Sequence, residues 1–158
     1  MKYGHLLRRM LIRSLRSCVL LVCMGLAAPL AHAIMNPDAP DYVAEFRQRA
    51  QPFENRLKHQ SSVSGTAQAG ADYAKFLDKE LNQAYQLLLK KLTDPAVRET
   101  LRKSQRAWLT YYKAETDFIA TNWVPANFGN SYELSRQEYS NALIKVRTED
   151  LLSYAGEY

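Results

Sequence analysis

Apolar residues recurring at alternating spacings of three and four constrain this chain more than any other feature. Beyond residue 40 they do so in segment after segment, with few β-branched runs and no internal repeat. That period belongs to a helix with one buried face. The predicted fold is all-α, a small antiparallel bundle of about four helices.

The first segment, Asp41 to about Gln60, carries the stripe Val43, Phe46, Ala50, Phe53 and Leu57, interrupted by Pro52. A proline inside a helix loses one hydrogen bond and clashes one turn back, so a kink or two short helices are expected. Ser61 to Gly70 is small and polar and reads as a linker. The second helix, about Asp72 to Leu92, puts Leu77, Leu81, Ala84, Tyr85, Leu88 and Leu92 on one side, with Phe76 and Leu87 on a second flank. Asp94-Pro95 is a start signal for the third helix, a capping carboxylate followed by a proline whose missing N–H costs nothing there. It should run to about Thr121 with a core face of Val97, Leu101, Trp108, Tyr112 and Ile119, and Tyr111 and Phe118 at one edge. Asn122 to Asn130 contains Pro125 and Gly129 and breaks the helix, and Ser131 is expected to cap a fourth helix reaching about Tyr154.

The N-terminus has a different character. Lys2, Arg8, Arg9, Arg13 and Arg16 precede an almost unbroken apolar run from Cys18 to Ala31, which ends in Ala31-His32-Ala33. This is the order of a cleavable signal peptide over residues 1–33, with a run too short for a permanent span. Neither cysteine sits where lipid attachment needs one, and the arginine dipeptide leaves both the general and the twin-arginine routes open. The expected product is a single helical domain over residues 34–158, exported to the periplasm or secreted, with no stable membrane span after cleavage. Five of the 21 basic residues leave with residues 1–33, so 16 remain against 16 acids and the mature net charge is zero. The basic balance of the whole chain therefore gives no argument for nucleic-acid binding. Cys18 and Cys23 leave as well, so stability must come from packing rather than a disulfide.

Little in the mature sequence can do covalent chemistry. His59 is its one histidine, no glycine-rich phosphate loop or zinc-binding His pair appears, and no cofactor, metal site or catalytic residue is expected. Two charges do fall on apolar faces. Glu115 lies two turns beyond Trp108 and close to its direction, while Leu143, Ile144, Leu151 and Tyr154 surround Arg147. Unpaired buried charge is costly, so Glu115 and Arg147 are expected to meet as an ion pair between the third and fourth helices. Asn82, Tyr85 and Gln105 are candidates for hydrogen bonds between helices, as buried polar residues of the core.

The stretch Leu77-Asp78-Lys79-Glu80-Leu81-Asn82-Gln83-Ala84-Tyr85-Gln86-Leu87-Leu88, followed by Leu101-Arg102-Lys103-Ser104-Gln105-Arg106-Ala107-Trp108-Leu109-Thr110-Tyr111, resembles the LprI-type lysozyme-inhibitor family of small exported helical proteins. The pattern is a Leu-Asn-x-x-Tyr helix, a Gln-Arg-x-Trp helix and a late Arg-x-x-x-Leu, here Arg147 and Leu151, and the resemblance covers residues 72–152. Members commonly continue Tyr-Arg-Asp-Ala-Glu-Cys, where this chain has Tyr111-Tyr112-Lys113-Ala114-Glu115-Thr116. It keeps Glu115 and lacks the family cysteines.

The resemblance implies a periplasmic binding protein, not an enzyme, that blocks a peptidoglycan-cleaving enzyme such as a lysozyme or other muramidase through protein contact. Two alternatives share its export and size: an accessory or structural interaction protein of the envelope, and an immunity protein against a cell-wall-degrading toxin. The candidate partner-binding loop holds Trp123, Asn127, Phe128 and Asn130, aromatics beside turn residues being common anchors. Trp123 and Phe128 capping the end of the bundle is the competing expectation. A neutral mature chain needs a local acidic patch to attract a basic target.

Overall fold

A computed structural model describes residues 40–158, and the expected export signal over residues 1–33 lies outside them. Four long helices and one short one follow in order: α1 (Tyr42–Lys58), α2 (Val63–Lys91), α3 (Pro95–Asn122), α4 (Pro125–Phe128) and α5 (Tyr132–Gly156), with a 3₁₀ turn at Gly129–Ser131. The described residues are all-α, as the spacing predicts, and none of their helices is long and apolar enough to cross a membrane.

Three of the helix starts are written in the sequence. The carboxylate of Asp41 accepts from the Ala44 N–H at 2.8 Å. Ser62 Oγ accepts from Gly65 N–H at 3.0 Å. The Asp94 carboxylate accepts from Ala96 N–H at 2.7 Å, with Pro95 in the first turn. Each satisfies a donor that has no partner inside its helix.

Of the two outcomes expected at Pro52, a kink or two short helices, the second does not occur: α1 is one helix from Tyr42 to Lys58. Packing outweighs the lost hydrogen bond: Phe46 is fully buried and stacks on Phe76, and Phe53 lies 4.5 Å from the Phe76 ring and 6.1 Å from Tyr73. The segment expected as a linker is helical from Val63 onward. Its Ala69 and Gly70 are buried against α5, so tertiary burial overrides weak intrinsic propensity.

Neighbouring helices in the chain run antiparallel, and α2 and α5 consequently run side by side in the same direction. Asn141 Nδ2 donates to the Gly70 carbonyl at 3.2 Å near one end of that pair, and Leu88 and Leu92 share a groove with Tyr154 at the other. Small buried residues, Gly70 and Ala84 on α2 with Thr148 and Ala155 on α5, let the two approach closely. At Gly70 the side chain of Gln137 occupies the space a Cβ would need.

Helix α1 fills one groove of this spine with its aromatic stripe. It is also fastened by charge: Arg49 donates two hydrogen bonds to the buried Glu80 carboxylate, at 3.1 and 2.7 Å. Glu54 receives Lys145 at 2.7 Å and the Tyr73 hydroxyl at 2.9 Å, which ties α1 to both spine helices. The Lys145 bond first, then the Tyr73 bond, hold the Glu54 carboxyl below the usual carboxylate range, against an opposing effect of burial. Burial, followed by the same carboxylate, pushes the Tyr73 hydroxyl up.

Helix α3 lies along α5 on the other side of the spine and is far less covered. Of its residues only Gln105 and Ile119 are buried. Leu101, Trp108 and Tyr112 of the expected core face are partly buried, whereas Val97 is exposed.

Candidate functional site

The far end of α3 is where aromatic side chains gather in the open. Trp123 ends α3 with its N–H donating to the Ile119 carbonyl at 3.1 Å, and Pro125 then starts the single turn of α4. Gly129 follows at φ 59°, a left-handed conformation that favours glycine, and redirects the chain into α5. Ser131 does not cap α5 as expected. Its hydroxyl donates to the Phe128 carbonyl at 3.1 Å and so closes the turn behind it.

This path brings three rings together around Trp123. Phe128 stacks on it at 5.7 Å, Tyr139 of α5 lies 4.5 Å away at a tilt, and Phe118 of α3 meets it edge-on at 6.5 Å. The outer three remain open to solvent, 56% for Phe118, 49% for Tyr139 and 42% for Phe128. Trp123 itself is half-buried beneath them. Arg136 holds the base of the cluster: its Nε donates to the Trp123 carbonyl at 2.7 Å, its terminal nitrogen bonds the Ala120 carbonyl, and its guanidinium lies 4.9 Å from the centre of the Tyr132 ring. A cation on the free carbonyls of a helix C-terminus is favoured by hydrogen bonding and by the helix dipole.

Of the four loop residues picked from sequence, Trp123 and Phe128 are in contact, and Asn127 and Asn130 are exposed on the turn between α3 and α5. Phe118 and Tyr139 complete the cluster and were not among them. The only sequence signal was the place of Phe118 at the edge of the third helix's apolar face.

The polar residues expected in the core separate into two groups. Arg147 and Gln105 are buried and bonded to each other, the guanidinium Nε donating to Gln105 Oε1 at 3.1 Å and a terminal nitrogen to Ser104 Oγ at 3.2 Å. Burial, the largest influence on it, lowers the Arg147 pKa from its ordinary value.

Glu115 does not meet Arg147. It is half-buried and makes no salt bridge among the described residues. The reason is height along the bundle: Arg147 stands level with Gln105, and ten residues of helix, about 15 Å, separate that level from Glu115. Asn82 is exposed and donates to the Asp78 carbonyl of its own helix at 2.9 Å, so it is not a core bridge. Tyr85 is half-buried and packs against the core. The Gln-Arg-x-Trp motif thus supplies scaffold: Gln105 bonds α5, Trp108 stacks on Tyr112 at 5.2 Å, and Arg106 is exposed and pairs with Glu99 on its own helix.

What the arrangement can do is bind. Exposed rings on a fixed base with free side-chain amides beside them suit contact with another macromolecule. Among the described residues no cluster of His, Cys, Asp and Glu could hold a metal ion.

Comparison with known proteins gives one match. Residues 55–151, more than half of the chain, match the family model described as Lysozyme inhibitor LprI. No curated protein and no solved structure matches.

Proposed function

Because the chain belongs to the LprI lysozyme-inhibitor family, we propose that it binds a peptidoglycan-cleaving enzyme and blocks it by contact, using the end of the bundle built on Trp123. In this reading residues 1–33 direct export and are removed, and the domain acts in the periplasm. The observation that carries the choice of surface is the pair of solvent-open rings, Phe128 and Tyr139, held on Trp123 beside the exposed turn.

Charge at this end is close to balanced, because Glu115, Asp117 and Glu133 stand against Lys113, which pairs with Asp117 at 2.6 Å, and Arg136 beneath the rings. The rings and amides, rather than electrostatic attraction, carry the proposed contact. A lysozyme works through two carboxylates in a saccharide cleft. The exposed Asn127 and Asn130 amides would donate hydrogen bonds within such a cleft while the rings exclude water from its rim. Inhibition of this kind needs no chemistry from the inhibitor.

A turbidity assay against a panel of lysozymes tests the reading. The purified protein should inhibit at least one of them. Phe128→Ala combined with Asn127→Ala should raise the concentration needed by about thirtyfold, the size of a binding hot spot. Both positions are exposed, so the variant should melt with the parent. No inhibition by the parent protein at micromolar excess over every lysozyme would sink the proposal.

A further inference from the structure

Helix α3 carries a second pattern that its packing touches only lightly, through the Ser104 hydroxyl that accepts from Arg147 at 3.2 Å. Val97, Thr100, Ser104, Ala107, Tyr111, Ala114 and Phe118 follow one another at spacings of three and four without a break, and every one is exposed. None is charged. A strict seven-residue repeat of uncharged positions is the seam of a two-helix coiled coil, and here it lies on the surface. Four of the seven are small, which permits close approach of a second helix, and three are large enough to fill the spaces between.

We propose that this seam holds a second copy of the chain, with the two α3 helices antiparallel. Shape is the first argument for that partner. At the start of α3 an apolar groove of about 190 Å³ opens between Leu92, Val97, Leu101 and Tyr154, with Thr100 on its wall. At the other end of the same seam Phe118 projects into solvent, 56% exposed. An antiparallel pairing that sets Thr100 opposite Phe118 delivers that ring to the groove, and by symmetry fills both grooves at once. The same register sets Ala107 against Tyr111 and Ser104 against Ala114, a small residue facing a large or small one at each level. A parallel pairing would stack Tyr111 on Tyr111 and leave both grooves empty.

Charge is the second argument. Lys103 and Asp117 flank the seam on its outer side, and the register fixed by Phe118 brings each Lys103 beside the other copy's Asp117, twice over. Both side chains are exposed, and Asp117 meets only Lys113 of its own helix, at 2.6 Å.

Sedimentation equilibrium of the purified protein tests this. A concentration-dependent dimer is expected. Ala107→Glu should abolish it, while Leu109→Glu, on the opposite side of the same helix and 51% exposed, should leave it intact. Circular dichroism and the melting temperature of dilute samples establish that both variants fold. Lys103→Asp should weaken the dimer about tenfold, as expected for two exposed pairs turned repulsive. Adding Asp117→Lys to it should restore the parent affinity. A monomer up to millimolar concentration, a dimer indifferent to Ala107→Glu, or a Lys103→Asp variant that Asp117→Lys fails to rescue would overturn the proposal.

Discussion

The two grooves of the α2–α5 spine are filled very differently. On one side α1 inserts Phe46 and Ala50 to full burial and adds bonds from Arg49, Glu54 and Arg47 to residues of α2 and α5. On the other, the longer α3 buries only Gln105 and Ile119 and leaves Leu109, Tyr111 and Phe118 half in water. The difference teaches that packing is concentrated on one side of the scaffold, while the other leaves apolar side chains open to solvent, and both proposed contacts draw on that open side.

Truncation should expose the contrast most strongly. Leu151→Ala or Phe46→Ala removes a fully buried side chain and should destabilise by about 3 kcal/mol or more. Leu109→Ala, on the exposed side of α3, should cost no more than about 0.5 kcal/mol in urea denaturation of dilute protein. Equal losses would break the comparison.

A smaller effect tests how α3 is fastened at all. The bond from Arg147 to Gln105 is the buried polar stitch between α3 and α5. A double-mutant cycle of Arg147→Met with Gln105→Leu should show coupling of about 1 kcal/mol, because either single change strands a buried polar group. The same cycle with Glu115→Gln in place of Gln105→Leu should give coupling near zero. Coupling to Glu115 instead would mean that the helix levels are wrong.

The smallest effect concerns pH and is read at Glu54, on the α1 side. Lys145 and Tyr73 hold the Glu54 pKa down in the folded state. The stability it confers is therefore present above the unfolded value of about 4.3 and is lost as pH falls through the folded value. Glu54→Gln should flatten the fall of the urea midpoint between pH 5 and 3 relative to the parent, with both ends of the titration measured.

Most of the fold was legible because helical period and capping are local. Asp94-Pro95 announced α3, and the stripe from Val43 to Leu57 marked the face that α1 buries. The misreadings share a cause. Ser61 to Gly70 reads as a linker from its own residues, yet its helical state depends on α5 packing against Gly70. The expected pairing of Glu115 with Arg147 rests on angles around each helix. Angle says which way a side chain points but not how high it stands, and Arg147 stands level with Gln105. The same limit hid half of the aromatic cluster. Trp123 and Phe128 advertise themselves beside turn residues, but Phe118 and Tyr139 are 21 positions apart and both reach Trp123 only because α3 and α5 run antiparallel into one end.

Arg136 gives that end a kinetic character. By joining the last carbonyls of α3 to the first turns of α5, it fixes the orientation of Trp123 before any partner arrives. The segment's loss of freedom is thus incurred during folding, and a complex formed there has few rotors left to freeze. For the complex proposed above, such preorganisation would be felt mainly as slower dissociation, and the guanidinium beneath the rings would set how long a bound partner stays.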